Sequence, residues 1–223
     1  SMDTSIAIIF SYIITVFAGI FPIANPFSTA PVFLALTREH SSAERNRIAR
    51  LASIYMAGVL LVALAAGALI LGFFGITIPG LRIAGGIIII ILGIQMLFPS
   101  GTKSVDHETA EQQGSIAFTP LAMPMMSGPG SISVVLSMSD EVANQASLYK
   151  MMLGYIVVAV GIVITVIACW AVLRSSSKIV KILGKSGIDV MTKLMAFILV
   201  AIGVEFFLGG LTGYLEIIGI LEN

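Results

Sequence analysis

Two short stretches combine proline, glycine and small hydroxyl or amide side chains within apolar sequence. They are Phe21-Pro22-Ile23-Ala24-Asn25-Pro26-Phe27-Ser28 and Met123-Pro124-Met125-Met126-Ser127-Gly128-Pro129-Gly130-Ser131. Proline lacks an N–H and its ring clashes with the carbonyl four residues back, so each stretch releases backbone polar groups that hydrocarbon cannot satisfy. Where a helix stops inside a bilayer, its ends carry about half a unit of partial charge, positive on the N–H side and negative on the C=O side. Such ends suit a small zwitterion. The N–H groups after Pro26, over Phe27, Ser28 and Thr29, and those from Ser131 onward are placed to receive a carboxylate. Carbonyls near Phe21 to Ala24 and near Met125 to Ser127 are placed to accept from an ammonium group. Asn25 and Ser127 add side chains that donate and accept. Gly128 and Gly130 are expected to permit unusual torsions and to let a ligand reach backbone. The candidate binding residues are therefore Asn25, Pro26, Phe27, Ser28, Thr29, Ser127, Gly128, Pro129, Gly130 and Ser131, crowded by Phe21, Met123, Met125 and Met126, which leave room only for small side chains.

Glu205 is the one carboxylate well inside an apolar run, and a carboxylate there is a candidate carrier of a coupling proton. Covalent and metal chemistry have no support. The chain has no HExxH, no GxSxG and no acid pair, Ser127 with distant His107 is not a credible dyad, and no spacing resembles a metal site. The expectation is of no catalytic residue, no metal and no cofactor. The single cysteine, Cys169, lies in apolar sequence and reads as a packed side chain.

The elements that must position the two stretches are membrane helices. Hydrophobic residues make up 57% of the chain and charged residues 11%, where soluble domains carry roughly 25% charge. The formal net charge is zero with no long basic run, which argues against a nucleic-acid partner. Apolar runs near the roughly 20 residues a spanning helix needs occur at about 5–36, 51–76, 79–98, 116–139, 150–173 and 189–211. The first is too long for one straight span, and the first and fourth are expected to break near the membrane middle. Ten of twelve basic residues (Arg38, Arg45, Arg47, Arg50, Lys103, Arg174, Lys178, Lys181, Lys185 and Lys193) fall on one side of a six-span arrangement, leaving Arg82 and Lys150 on the other. The positive-inside rule then predicts both termini outside. Arg82 and Lys193 are expected to anchor by snorkelling.

The third and sixth runs align without gaps at an offset of 110, with Gly93 matching Gly203 and Gln95 matching Glu205. Together with the two broken runs, this suggests two units of three helices, about 5–98 and 116–211, joined by a cytoplasmic linker of about 99–115 within one transmembrane domain. Three is odd, so the second unit enters from the opposite face and the repeat is inverted. The fold expected is thus all-α and transmembrane, with six spans as two inverted three-helix repeats.

The Asn25-Pro26 segment, the Ser127-Gly128-Pro129-Gly130 segment, the Arg82-Ile83-Ala84-Gly85-Gly86 opening of the third run and the basic first loop resemble the MarC family of bacterial and archaeal inner-membrane proteins. The likeness runs from about residue 5 to 213. It implies a multi-pass protein of the inner membrane and, by its SnatA members, transport of glycine, alanine and other small neutral amino acids. LysE-type amino-acid exporters resemble the chain more distantly, in architecture rather than motif. Thr192 and Lys193 stand where symmetry with Arg82 would place an arginine, so no shared role is carried to that position. The expectation is a secondary transporter working by alternating access, coupled to a proton or to sodium, within a lipid bilayer. An exporter of amino acids or small amphiphiles, a channel, and a structural membrane protein are the alternatives; oligomeric state is not specified by the sequence.

Overall fold

The computed structural model describes residues 2–37, 39–98 and 126–220, and among these every regular element is a helix. In order they are α1 (Met2–Ala24), α2 (Pro26–Leu36), α3 (Ser42–Phe74), α4 (Ile78–Leu97), α5 (Pro129–Ala143), α6 (Leu148–Arg174) and α7 (Ser176–Ile217). Five of them, α1, α3, α4, α6 and α7, are long and apolar enough to cross a membrane. The expected linker at 99–115 and the first arm of the fourth run up to residue 125 lie outside the described residues. Helices α2 and α5 have 11 and 15 residues. At 1.5 Å per residue they reach roughly 16 and 22 Å, short of a hydrocarbon core of about 30 Å.

Apolar surface lies outside as well as inside. Leu69, Phe73 and Phe197 are 76%, 85% and 67% exposed, as suits helices that meet lipid on one side. Helix α3 begins well before the expected residue 51, because Ser41 and Glu44 form a capping box. Ser41 Oγ accepts from the Glu44 N–H at 3.3 Å, and Glu44 Oε2 accepts from the Ser41 N–H at 2.8 Å. Two orphan donors are thereby satisfied and the charged turn at 44–50 becomes helix. Helix α7 likewise starts before residue 189 and bends at Gly184, whose φ of 63° a side chain would strain.

The most extensive helix pairing is α4 with α7. A β-carbon on Gly86 would stand 2.7 Å from the carbonyl oxygen of Gly203, and one on Gly203 would stand 2.9 Å from that of Gly86. Only missing side chains allow backbones this close, the mode of association favoured in membranes, where apolar burial gives no net drive. Two further contacts continue the crossing antiparallel: Gly93 against Ala196 and Val200, and Gly210 against Pro79 and Ile83.

Candidate functional site

The first break is narrower than the sequence suggests. Helix α1 runs through Pro22 to Ala24 and the chain leaves helix only at Asn25, whose φ is 36°. Asparagine tolerates that left-handed region better than most residues because its short amide bonds locally. The Asn25 N–H still closes on the Phe21 carbonyl at 2.9 Å, and the Asn25 carbonyl accepts from both the N–H and the hydroxyl of Thr29, at 3.3 and 3.2 Å. Pro26 opens α2 and has no N–H to offer the Pro22 carbonyl, so one helix ends and the next begins within a single residue. Asn25 and Thr29 are 2% and 1% exposed. Phe27 lies edge-on to Phe21 across the break, with ring centroids 6.2 Å apart, and Phe21 stacks on Phe17. Ser28 falls in the first turn of α2.

The second break is built differently. Gly128 caps α5 in an extended conformation, φ −80° and ψ −170°, that any residue adopts. The expectation that glycine supplies unusual torsions here is therefore corrected: the left-handed residue is Asn25. Pro129 is exposed and occupies the first turn of α5, where its missing N–H costs nothing. Ser127, Gly128, Gly130 and Ser131 are buried. The Ser131 hydroxyl donates to the Met126 carbonyl at 3.1 Å, across the break, and the Ser133 hydroxyl donates to the Pro129 carbonyl at 2.6 Å.

The two breaks meet. A β-carbon on Gly130 would lie 3.0 Å from Ile23 Cγ2, with Ile89 and Leu92 of α4 next nearest at 3.4 and 3.5 Å. Glycine at 130 serves close approach, so that the C-terminal end of α1 seats on the N-terminal turn of α5. Helix α4 backs both breaks, since Met96 Sδ also receives the Asn25 Nδ2 donor at 3.9 Å. The geometry brings together the positive N-terminal ends of two short helices and the carbonyl end of a third, a combination suited to holding a small group that bears both charges.

Glu205 is not brought to this place. It is exposed on α7, two residues beyond the Gly203 that faces α4. Arg82, by contrast, is more than an anchor. Its Nε donates to Ser137 Oγ at 3.2 Å, its Nη2 pairs with Glu141 Oε1, and its guanidinium lies 6.0 Å from the Phe206 ring, so it ties α4 to α5 and α7. Neither this tie nor the wall formed by Ile89, Leu92 and Met96 has a signal in the sequence. A further bond from the Ser139 hydroxyl to the Leu64 carbonyl, 2.6 Å, fixes α5 against α3.

The fold defines a polytopic helical membrane protein in which the buried Asn25 separates α1 from α2 and a buried turn at 127–128 opens α5. The model of the MarC family integral membrane proteins matches residues 10–215. The chain is 41% identical over 206 residues to the inner membrane protein MarC of Escherichia coli strain K12, covering 88% of this chain and 91% of the relative. The same figures hold for the protein of that name from Shigella flexneri. No solved structure matches the chain. This chain belongs to the MarC family of integral membrane proteins.

Proposed function

We propose that this protein is a secondary transporter of small neutral amino acids such as glycine and alanine. Substrate is held where the Asn25 break meets the 127–131 break, and two inverted three-helix halves rock around it. The observation that carries the reading is the contact of Ile23 with Gly130, which joins the end of α1 to the start of α5, from opposite halves of the chain, in one buried place. Interrupted helices at matching positions of two halves are the expected form of a midplane substrate site. The N–H groups opening α2 and α5 receive the carboxylate, and carbonyls ending α1 accept from the ammonium. Phe21, Phe27 and Ile23 limit the side chain to a hydrogen or a methyl group.

The helix crossing supports the inverted repeat. At the offset of 110, Gly86 corresponds to Ala196 and Gly93 to Gly203. The contacts are Gly86 with Gly203 and Gly93 with Ala196, so exchanging the halves maps one contact onto the other. The buried Ile89 and Leu199, near the centre of this exchange, are also equivalents. A two-fold relation within the membrane plane produces this exchange. The inner membrane is the location, as the names of the relatives state for them. The basic ends of α3 and α6 lie toward the cytoplasm and both termini outside.

The deciding experiment uses purified protein in two steps: a thermal-shift screen of all amino acids, then uptake into proteoliposomes under separate proton and sodium gradients. Saturable glycine or alanine uptake with counterflow is expected. Flux without saturation or counterflow would replace the transporter with a channel, and no flux of any amino acid would favour a structural role.

A further inference from the structure

Away from the breaks, where the N-terminal turns of α3 meet the C-terminal turn of α6, lies a cleft of about 150 Å³ lined by Ala43, Asn46, Arg47, Arg50, Trp170 and Arg174. The lining follows from helical periodicity. Positions 43, 46, 47 and 50 form one stripe of α3, and 170 and 174 form one stripe of α6. Three arginines therefore line one small space. Among the described residues no carboxylate lines it and none of the three arginines is in an ion pair; the Arg82–Glu141 pair involves other helix ends. Arg174 is placed by the indole, with Cζ 5.3 Å from the Trp170 ring.

Three arginines lining one cleft, with no described carboxylate among them, favour an anion with several acceptor oxygens. The planar fork of arginine matches phosphate oxygens in pairs. Tryptophan marks the headgroup level of a membrane. One turn into the apolar part of each helix stand Ile54 and Ile167, 56% and 54% exposed, so lipid-facing surface continues directly from the basic cleft. A bound molecule with a phosphate head and an apolar tail would satisfy both parts at once.

We infer that this cleft is a binding site for the phosphodiester headgroup of an anionic phospholipid, held by Arg47, Arg50 and Arg174 with Trp170 at its side. The site lies apart from the breaks and does not depend on what they transport. Trp170 is the chain's single tryptophan, so its fluorescence reports on the cleft directly. In detergent-solubilised full-length protein, phosphatidylglycerol with brominated acyl chains is expected to quench Trp170 at far lower concentration than brominated phosphatidylcholine. Inorganic phosphate should compete only weakly. Removing each arginine is expected to weaken binding roughly fivefold, and Arg47→Gln, Arg50→Gln and Arg174→Gln together about a hundredfold. The combination Lys178→Gln, Lys181→Gln and Lys185→Gln, which removes as much charge outside the cleft, should bind like the parent. Equal quenching by the two lipids, equal binding by the two triple variants, or inorganic phosphate competing as strongly as the lipid would each overturn the assignment. If the arginine triple variant does not fold, Arg174→Gln alone and the two-lipid comparison on the unaltered protein decide the matter.

Discussion

Asn25 and the 127–131 stretch each open a short helix, α2 and α5, by different means. At the first, one asparagine with φ of 36° separates two helices, each containing a proline, and its amide reaches Met96. At the second, the cap is an ordinary extended glycine, and the demanding position is Gly130, inside the next helix, where Ile23 leaves no room for a side chain. Torsional demand sits in the first break and steric demand in the second. Each break therefore depends on a residue type for a separate physical reason, and the two are joined because the tight position of one receives the helix end of the other.

That contrast can be broken at Gly130 first. A leucine there would have to displace Ile23 and the α4 wall, and overpacking of this kind costs about 1–3 kcal/mol. Gly130→Leu is expected to abolish glycine uptake and lower the melting temperature. Gly130→Ala should impair uptake less, and Ile23→Ala in the same chain should restore a good part of it. Rescue absent from the double variant would show that the contact is not what makes glycine necessary.

At Asn25, torsion and side chain are separable. Asn25→Ala loses both, at about 1–2 kcal/mol for the left-handed backbone, whereas Asn25→Gly keeps the torsion. Thermal unfolding should place Asn25→Gly above Asn25→Ala, while uptake falls at least tenfold in both if the amide binds substrate. Uptake that tracked stability alone would reduce Asn25 to a hinge.

A smaller effect is expected at the Arg82 tie. Glu141 is 56% exposed, so Glu141→Gln should cost no more than about 0.2–1 kcal/mol. Arg82→Gln also loses the donor to Ser137 and the contact with Phe206, and should be the more destabilising of the two by thermal unfolding. The smallest change is expected of Glu205→Gln. Its exposed position predicts unaltered melting and unaltered proton-driven uptake. Uptake that ran normally by exchange yet no longer responded to a pH gradient would instead make Glu205 the coupling carboxylate.

Several of these features were legible in the residues. The Asn25 break and the start of α5 at Pro129 both fall within the stretches marked by proline and glycine, because a missing N–H acts locally and needs no partner to be recognised. The start of α3 was legible in principle, in Ser41 and Glu44, but reading for apolar runs passes over a charged helical turn. The contacts were not legible. Ile23 meets Gly130, Arg82 meets Ser137 and Glu141, and Asn25 meets Met96 across separations that no periodicity encodes. Even the glycines of α4 and α7 align as equivalents in sequence yet touch in exchange, Gly86 on Gly203, since the helices run antiparallel.

The sequence by itself determined that this is a helical membrane protein, the stretches in which α1 ends and α5 begins, and where along the chain its basic charge collects. Composition, proline chemistry and hydropathy are properties of short segments, and short segments are what a sequence displays. The tertiary structure decided that the end of α1 meets the start of α5, that an asparagine rather than a glycine takes the left-handed turn, and that arginines from two distant helix ends line one cleft. Those outcomes depend on which backbones can approach, and approach is settled only when all the helices are packed together.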